Sequence, residues 1–229
     1  MNKTLLFLLC ATVLWSCNNT TKTSDTEASP DTETIVATTP AEKIANANGI
    51  EHWNDVSEIN FTFNVDRGEN HFERSWSWNP KTDAVTMTSA NDTVAYNRKQ
   101  MDSITKKTDG AFVNDSYWLL APYKLVWDEG TTLSEASKEI APISNDSLHK
   151  LTITYGNEGG YTPGDAYDFF YDDAFMVREW VFRKGNNPEP SIVTTFEDYQ
   201  DYNGLKLATM HKDSIGAFKL YFTNISVKK

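Results

Sequence analysis

The sequence predicts a mainly β protein: a single curved antiparallel sheet or half-open β-barrel, with an N-terminal helix and a short lid helix. Three observations lead there. Apolar and polar residues alternate in segment after segment, with turn residues between, giving about ten strands in up-and-down order. The hairpin from Asp165 to Lys184 is apolar on both faces, so it must be covered on both or must line a cavity on one. Only two stretches read as helix, Ala41 to Asn48 and a short apolar turn around Trp118, and both need a sheet to pack on.

The amino terminus is organised differently. Residues 1–16 have the parts of a secretory signal, with Lys3 as the charged region and an apolar run from Leu5 to Trp15. That run is too short to span a bilayer, which needs about 20 apolar residues. Leu14-Trp15-Ser16-Cys17 resembles a bacterial lipobox, although Trp15 is bulkier than the usual small residue. The resemblance implies cleavage before Cys17 and acylation of that cysteine, a firm attachment to a membrane. Residues 17–40 then comprise the lipidated cysteine and a Ser/Thr/Asp/Glu-rich tether that cannot order itself, and residues 41–229 form one β domain.

Within that domain Gly49 is placed to close the first helix. In Glu58 to Asp66 the residues Ile59, Phe61, Phe63 and Val65 share one face. In Asn70 to Asn79 the set is Phe72, Arg74, Trp76 and Trp78, which leaves Arg74 among aromatic rings. Val85 and Met87, then Val94 and Tyr96, continue the ladder. Arg98 to Gly110 is polar and aperiodic and reads as an exposed connection, followed by a short helix capped by Asn114 or Asp115 and ended by Pro122.

A polar loop from Asp128 to Asp146 has room for one short strand, after which Leu151, Ile153 and Tyr155 resume alternation. In the hairpin, Tyr167, Phe169 and Tyr171 lie on one side with Met176, Arg178, Trp180 and Phe182. Phe170, Phe175, Val177 and Val181 lie on the other, and Asp172 and Asp173 supply the turn. Strands from Ile192 to Tyr199, Leu205 to Met210 and Ile215 to Ile225 complete the chain, with a turn at Asn203-Gly204.

Composition excludes several functions. A net charge of −11 over 229 residues leaves nothing to neutralise a nucleic-acid backbone. Both cysteines, Cys10 and Cys17, precede the domain, so it carries no disulfide. His52, His71, His149 and His211 form no ligand-spaced pair, and neither a metal nor another cofactor is expected. No nucleophile elbow or phosphate-cradling loop is present, so no catalytic residue is assigned. Two carboxylates such as Glu179 and Asp198 are the kind of pair to weigh for acid–base work on a glycan.

Three stretches carry a resemblance: Phe112 to Leu125 (FVNDSYWLLAPYKL), Tyr171-Asp172 with Glu179-Trp180, and Phe196-Glu197-Asp198-Tyr199 followed by Asn203-Gly204-Leu205. In these and in the order of its parts the chain resembles the LolA/LolB-like lipoprotein-carrier superfamily, above all Bacteroidetes lipoproteins of that fold. The resemblance implies a half-open barrel whose apolar concave side receives acyl chains, with the helix at Trp118 to Leu120 as a lid. LolB-like receptors also expose an apolar loop tip, and no comparable Leu or Trp tip is found between the strands.

The expected function is a membrane-anchored, non-catalytic lipoprotein of the outer membrane, on its periplasmic face, binding a lipid-like or other apolar ligand. Phe61, Phe63, Phe72, Arg74, Trp76, Trp78, Trp118, Tyr167 and Phe169 are the candidate lining, and Cys17 is the attachment site. Arg74 has two readings, a partner for a ligand headgroup or an arginine stacked on Trp76 or Trp78 at the rim. The alternative function is a cell-envelope interaction module in which the same aromatic stripes are a filled core.

Overall fold

The structure is a computed structural model that describes residues 39–229. Cys17, the signal segment and nearly all of the tether lie outside the described residues. The domain begins slightly earlier than its sequence boundary. Thr39 caps helix α1 (Pro40–Ala47) by accepting the Glu42 amide at 3.2 Å, while Glu42 accepts the Thr39 amide at 2.8 Å. Pro at the first helical position and this reciprocal cap fix the start of α1. Gly49 follows with φ +85, leading into a short 3-10 helix at Ile50–Asp55. A Cβ on Gly49 would stand 1.9 Å from the Gly204 carbonyl oxygen, so only glycine permits this approach to the far end of the chain.

Fourteen strands follow in place of about ten. β1 (Glu58–Arg67), β2 (Asn70–Asn79), β3 (Ala84–Thr88) and β4 (Thr93–Asn97) precede helix α2 (Ser103–Trp127). After α2 come β5 (Thr131–Leu133), β6 (Ser137–Ile140), β7 (Ser147–Tyr155), β8 (Ala166–Tyr171), β9 (Val177–Arg183) and β10 (Ile192–Thr195). The chain ends with β11 (Gln200–Tyr202), β12 (Leu205–Leu207), β13 (Met210–Lys212) and β14 (Phe218–Lys228). One antiparallel ladder runs β13-β14-β1-β2-β3-β4, a second runs β10-β9-β8-β7-β5 with β6 also on β7, and β11 and β12 form a separate hairpin.

The two ladders meet where β10 gives way to β13. Glu197 and Met210 exchange backbone hydrogen bonds of 2.9 and 3.3 Å, and the Lys212 amide donates to Thr195 Oγ1 at 3.1 Å. The sheets thus follow one curved surface, and they do not close into a barrel.

The largest departure from expectation is α2. Most of the stretch that reads as an exposed connection, from Ser103 on, is its first two turns, so the helix has 25 residues in place of a short apolar turn. Asp102 caps it, accepting the amides of Ile104 and Thr105 at 3.0 and 2.8 Å. Pro122 does not end it. Leu120 departs to φ −114, ψ 17, and the helix bends and continues through the proline, whose missing amide would have bonded one turn back.

Residues 115–123 are buried all round. Phe112 sits 5.3 Å from both Trp76 and Trp78 of β2, while Tyr117 stacks on Tyr167 of β8 at 4.7 Å and Trp118 lies 4.4 Å from Trp180 of β9. The helix therefore fills much of the concavity between the ladders, where the resemblance implies a lid over it.

The β8–β9 hairpin is covered on both faces. Tyr167, Phe169, Trp180 and Phe182 face α2. Phe170 and Val181 pack on Ala141 behind the sheet, where the loop before β7 is held by the Glu179 carboxylate accepting the Ile143 and Ser144 amides at 2.7 and 2.8 Å. The expected sides are corrected at the turn end. A bulge pairs Tyr171 with Val177 and leaves Arg178 as the extra residue, which turns Val177 and Phe175 to the main core and Arg178 to solvent. The loop between α2 and β7 likewise holds two short strands, not one.

Candidate ligand-binding groove

Two cavities open beside α2. The first, of about 380 Å³, lies against the second ladder and is walled by Tyr117, Trp118, Tyr167, Trp180 and Phe182. The second, of about 430 Å³, lies against the first ladder and is walled by Phe63, Val65, Phe72, Trp118, Phe218 and Leu220. Asn114, Trp118 and Ile192 line both, so the two adjoin at the Trp118 indole and together make up the groove beside α2. Each volume lies within the range of about 300–1,000 Å³ typical of small-molecule sites.

The helix that floors the groove is clamped by two buried carboxylates. Asp115 accepts Arg74 Nε and, at 2.7 Å, Arg74 Nη2, while Trp76 Nε1 donates to it at 2.8 Å and Asn114 Nδ2 at 3.0 Å. Asp109 accepts Arg98 Nε at 2.8 Å and the Tyr96 hydroxyl at 2.9 Å. A second hydroxyl reaches Asp109 from Tyr161, on the glycine-rich strap between β7 and β8. Burial and the Asp109 charge together push the Tyr161 phenol up to about 12. The strap is pinched shut by a 2.9 Å hydrogen bond from the Gly164 amide to the Gly156 carbonyl. It separates the first cavity from a more polar one of about 360 Å³, since Tyr161 and Thr162 line both. A Cβ on Gly110 would touch the Tyr161 ring at 3.7 Å, so the strap lies directly on the helix.

Two buried polar atoms bear on the groove. Trp180 Nε1, on a side chain lining the first cavity, has no hydrogen-bond partner among the described residues. Such orphans are uncommon in folded proteins. His211 is enclosed by the rings of Trp118, Phe196 and Phe222 at 5.5, 4.3 and 6.0 Å. Desolvation pulls its pKa down to about 3, so the imidazole is neutral and its Nδ1–H donates to the Thr195 carbonyl at 3.1 Å.

The nine candidate lining residues divide. Phe63, Phe72, Trp118 and Tyr167 stand on the groove walls. Phe61, Trp76 and Phe169 are packed in the core and line neither cavity; Phe61 meets Phe222 edge-on at 5.8 Å and Phe169 meets Trp180 at 6.1 Å. Trp78 is drawn aside to Trp53 and Phe112, both at 5.3 Å. Arg74 does lie over Trp76, and over Phe63 and Phe72 as well, but its guanidinium is held by Asp115, where the readings expect a ligand headgroup or solvent at the rim. The reason is common to all five: a face shared along a strand does not say where along that strand the helix lands.

Asp109, Tyr117 and Tyr161 have no site role in the sequence reading, and Asp115 has only that of a helix cap. The glycine-rich run around Tyr161 was the available signal for the strap. Among the described residues no three His, Cys, Asp or Glu side chains converge as a metal site, and no helix is long and apolar enough to cross a membrane.

No family model matches the chain, and no curated protein is similar to it in sequence. Solved structures are similar in fold. A LolA superfamily protein from Nitrosomonas europaea matches with a TM-score of 0.51 and 10% identity, over 84% of this chain and 95% of that one. A DUF1329 family protein from Desulfovibrio piger matches at 0.44 and 9% identity, over 83% and 94%. A domain from Vibrio parahaemolyticus, described as an outer membrane lipoprotein-sorting protein domain, matches at 0.47 and 11% identity, over 82% and 94%. The first of these comparisons shows that the fold is LolA-like.

Proposed function

We propose that this protein is a non-catalytic, membrane-anchored envelope lipoprotein that binds a lipid-like or other apolar molecule in the groove around Trp118. The observation that carries the reading is the groove itself, two largely apolar cavities that meet at one indole inside a half-open LolA-like sheet. Phe63, Phe72, Trp118 and Tyr167 are the proposed contacts. The anchor rests on the lipobox-like Leu14-Trp15-Ser16-Cys17, with Cys17 acylated and the domain held on the periplasmic face of the outer membrane. Of the two carboxylates weighed for glycan chemistry, Glu179 has both oxygens occupied by backbone amides, which suits a structural role.

A second reading, an interaction module with no small ligand, draws on the packing of Phe61, Trp76 and Phe169 into a filled core. Native mass spectrometry of the full chain carrying Cys17→Ser, followed by organic extraction, separates the two. A co-purifying apolar molecule, or uptake of an apolar fluorescent probe, supports the binding reading. A clean apo mass with no probe uptake transfers the conclusion to the interaction module.

A further inference from the structure

The chain has five arginines, and four of them are held by two N–H groups on an aspartate: Arg74 on Asp115, Arg98 on Asp109, Arg178 on Asp172 and Arg183 on Asp168. Arg67 is the exception. In a chain with 32 acidic residues, its guanidinium forms no ion pair and no side-chain hydrogen bond among the described residues. It lies instead 5.2 Å over the Phe218 ring, at the mouth of the second cavity. The nearby acids do not take it. Asp66 and Glu73 both approach His71, at 2.7 and 3.5 Å, and Asp213, across Phe218, keeps its Oδ1 without a partner.

Behind Arg67 the wall is apolar, through Phe218, Leu220, Phe63 and Val65 to Trp118, and there the groove turns toward Trp180. A cation at the mouth of an apolar slot fits a molecule with one negative end and one aliphatic end. An arginine fork, stacked on an aromatic face, suits a planar or tetrahedral oxyanion.

We infer that the second cavity takes the tail of a single-chain amphiphile whose anionic head, a carboxylate or a phosphate monoester, is held by Arg67. This rests on the groove being a binding site, and it adds the charge and polarity of the ligand.

The test is isothermal titration calorimetry of the full chain carrying Cys17→Ser, with dodecanoate, dodecyl phosphate and dodecanol as probes. Arg67→Gln and Arg67→Lys are made in the same background, with melting temperatures to confirm folding. The anionic probes are expected to bind about ten- to hundredfold tighter than dodecanol, the range of a charge-assisted hydrogen bond. Arg67→Gln brings them to the dodecanol level without changing dodecanol itself, and Arg67→Lys keeps most of the preference. Whichever anion binds tighter identifies the head. Equal binding of all three probes, or a preference that survives Arg67→Gln, overturns the inference and leaves the groove reading intact. Binding of none of the three overturns both.

Discussion

Asp115, fully buried on α2, and Arg74, on β2, meet in a two-pronged ion pair that ties the central helix to the first ladder beside the groove. The Trp76 indole shares the same carboxylate, so one aspartate sets both the height of the helix and the orientation of an aromatic wall. The pair resists separation for a simple reason. A carboxylate at 0% exposure has no water to fall back on if its guanidinium is removed.

Arg74→Met should therefore destabilise the domain by about 3–5 kcal/mol, because it leaves the Asp115 charge buried without its main partner. The double change Arg74→Met with Asp115→Leu should cost less than the single one. Urea denaturation of both single variants and the double gives the coupling directly, and additive costs would contradict the pairing.

The division of the aromatic residues into core and groove gives a second expectation. Phe169, at 0% exposure, should cost about 3–5 kcal/mol on truncation to alanine. Phe72 is 48% exposed, so Phe72→Ala should cost less than about 1 kcal/mol while lowering the affinity for an apolar probe. Thermal melts alongside probe titrations separate the two effects, and equal stability losses would place both residues in one core.

His211 makes the domain acid-sensitive in a defined direction. Its pKa is about 3 when folded, against about 6.5 unfolded, so the unfolded chain takes up a proton first as pH falls. The stability this neutral imidazole contributes is complete above about pH 6.5, and it is lost progressively down to about pH 3, amounting to on the order of 2 kcal/mol by pH 5. Glu197, whose charge favours the protonated ring, is held by Lys212 at 2.6 Å and does not outweigh the burial. Denaturation midpoints from pH 7.5 to 5 should fall less steeply in His211→Leu than in the parent chain; parallel slopes would rule out His211 as the source.

How much of this was legible in advance depends on what each element touches. The strands announced themselves because half-buried strands alternate, and β1 and β2 have the residues their alternation assigns. The two-faced β8–β9 hairpin required cover on both sides, and received it. The full length of helix α2 stayed hidden because two of its inward positions are Asp109 and Asp115, and they interrupt the apolar stripe by which an amphipathic helix is recognised.

Those aspartates are tolerable inside only because Arg98, in the turn after β4, and Arg74, on β2, reach them from 11 and 41 residues away in the chain. The same long-range placement decided which aromatic rings became core and which became wall. By itself the sequence determined the antiparallel, apolar-faced strands, the acidity, and the lipobox-like start, since each depends on neighbours in the chain. Only the tertiary structure decided that a buried helix would divide the concavity, that four arginines would be consumed by aspartates, and that Arg67 would be left facing an apolar slot. Those outcomes are set by which distant groups can satisfy one another's charge away from water.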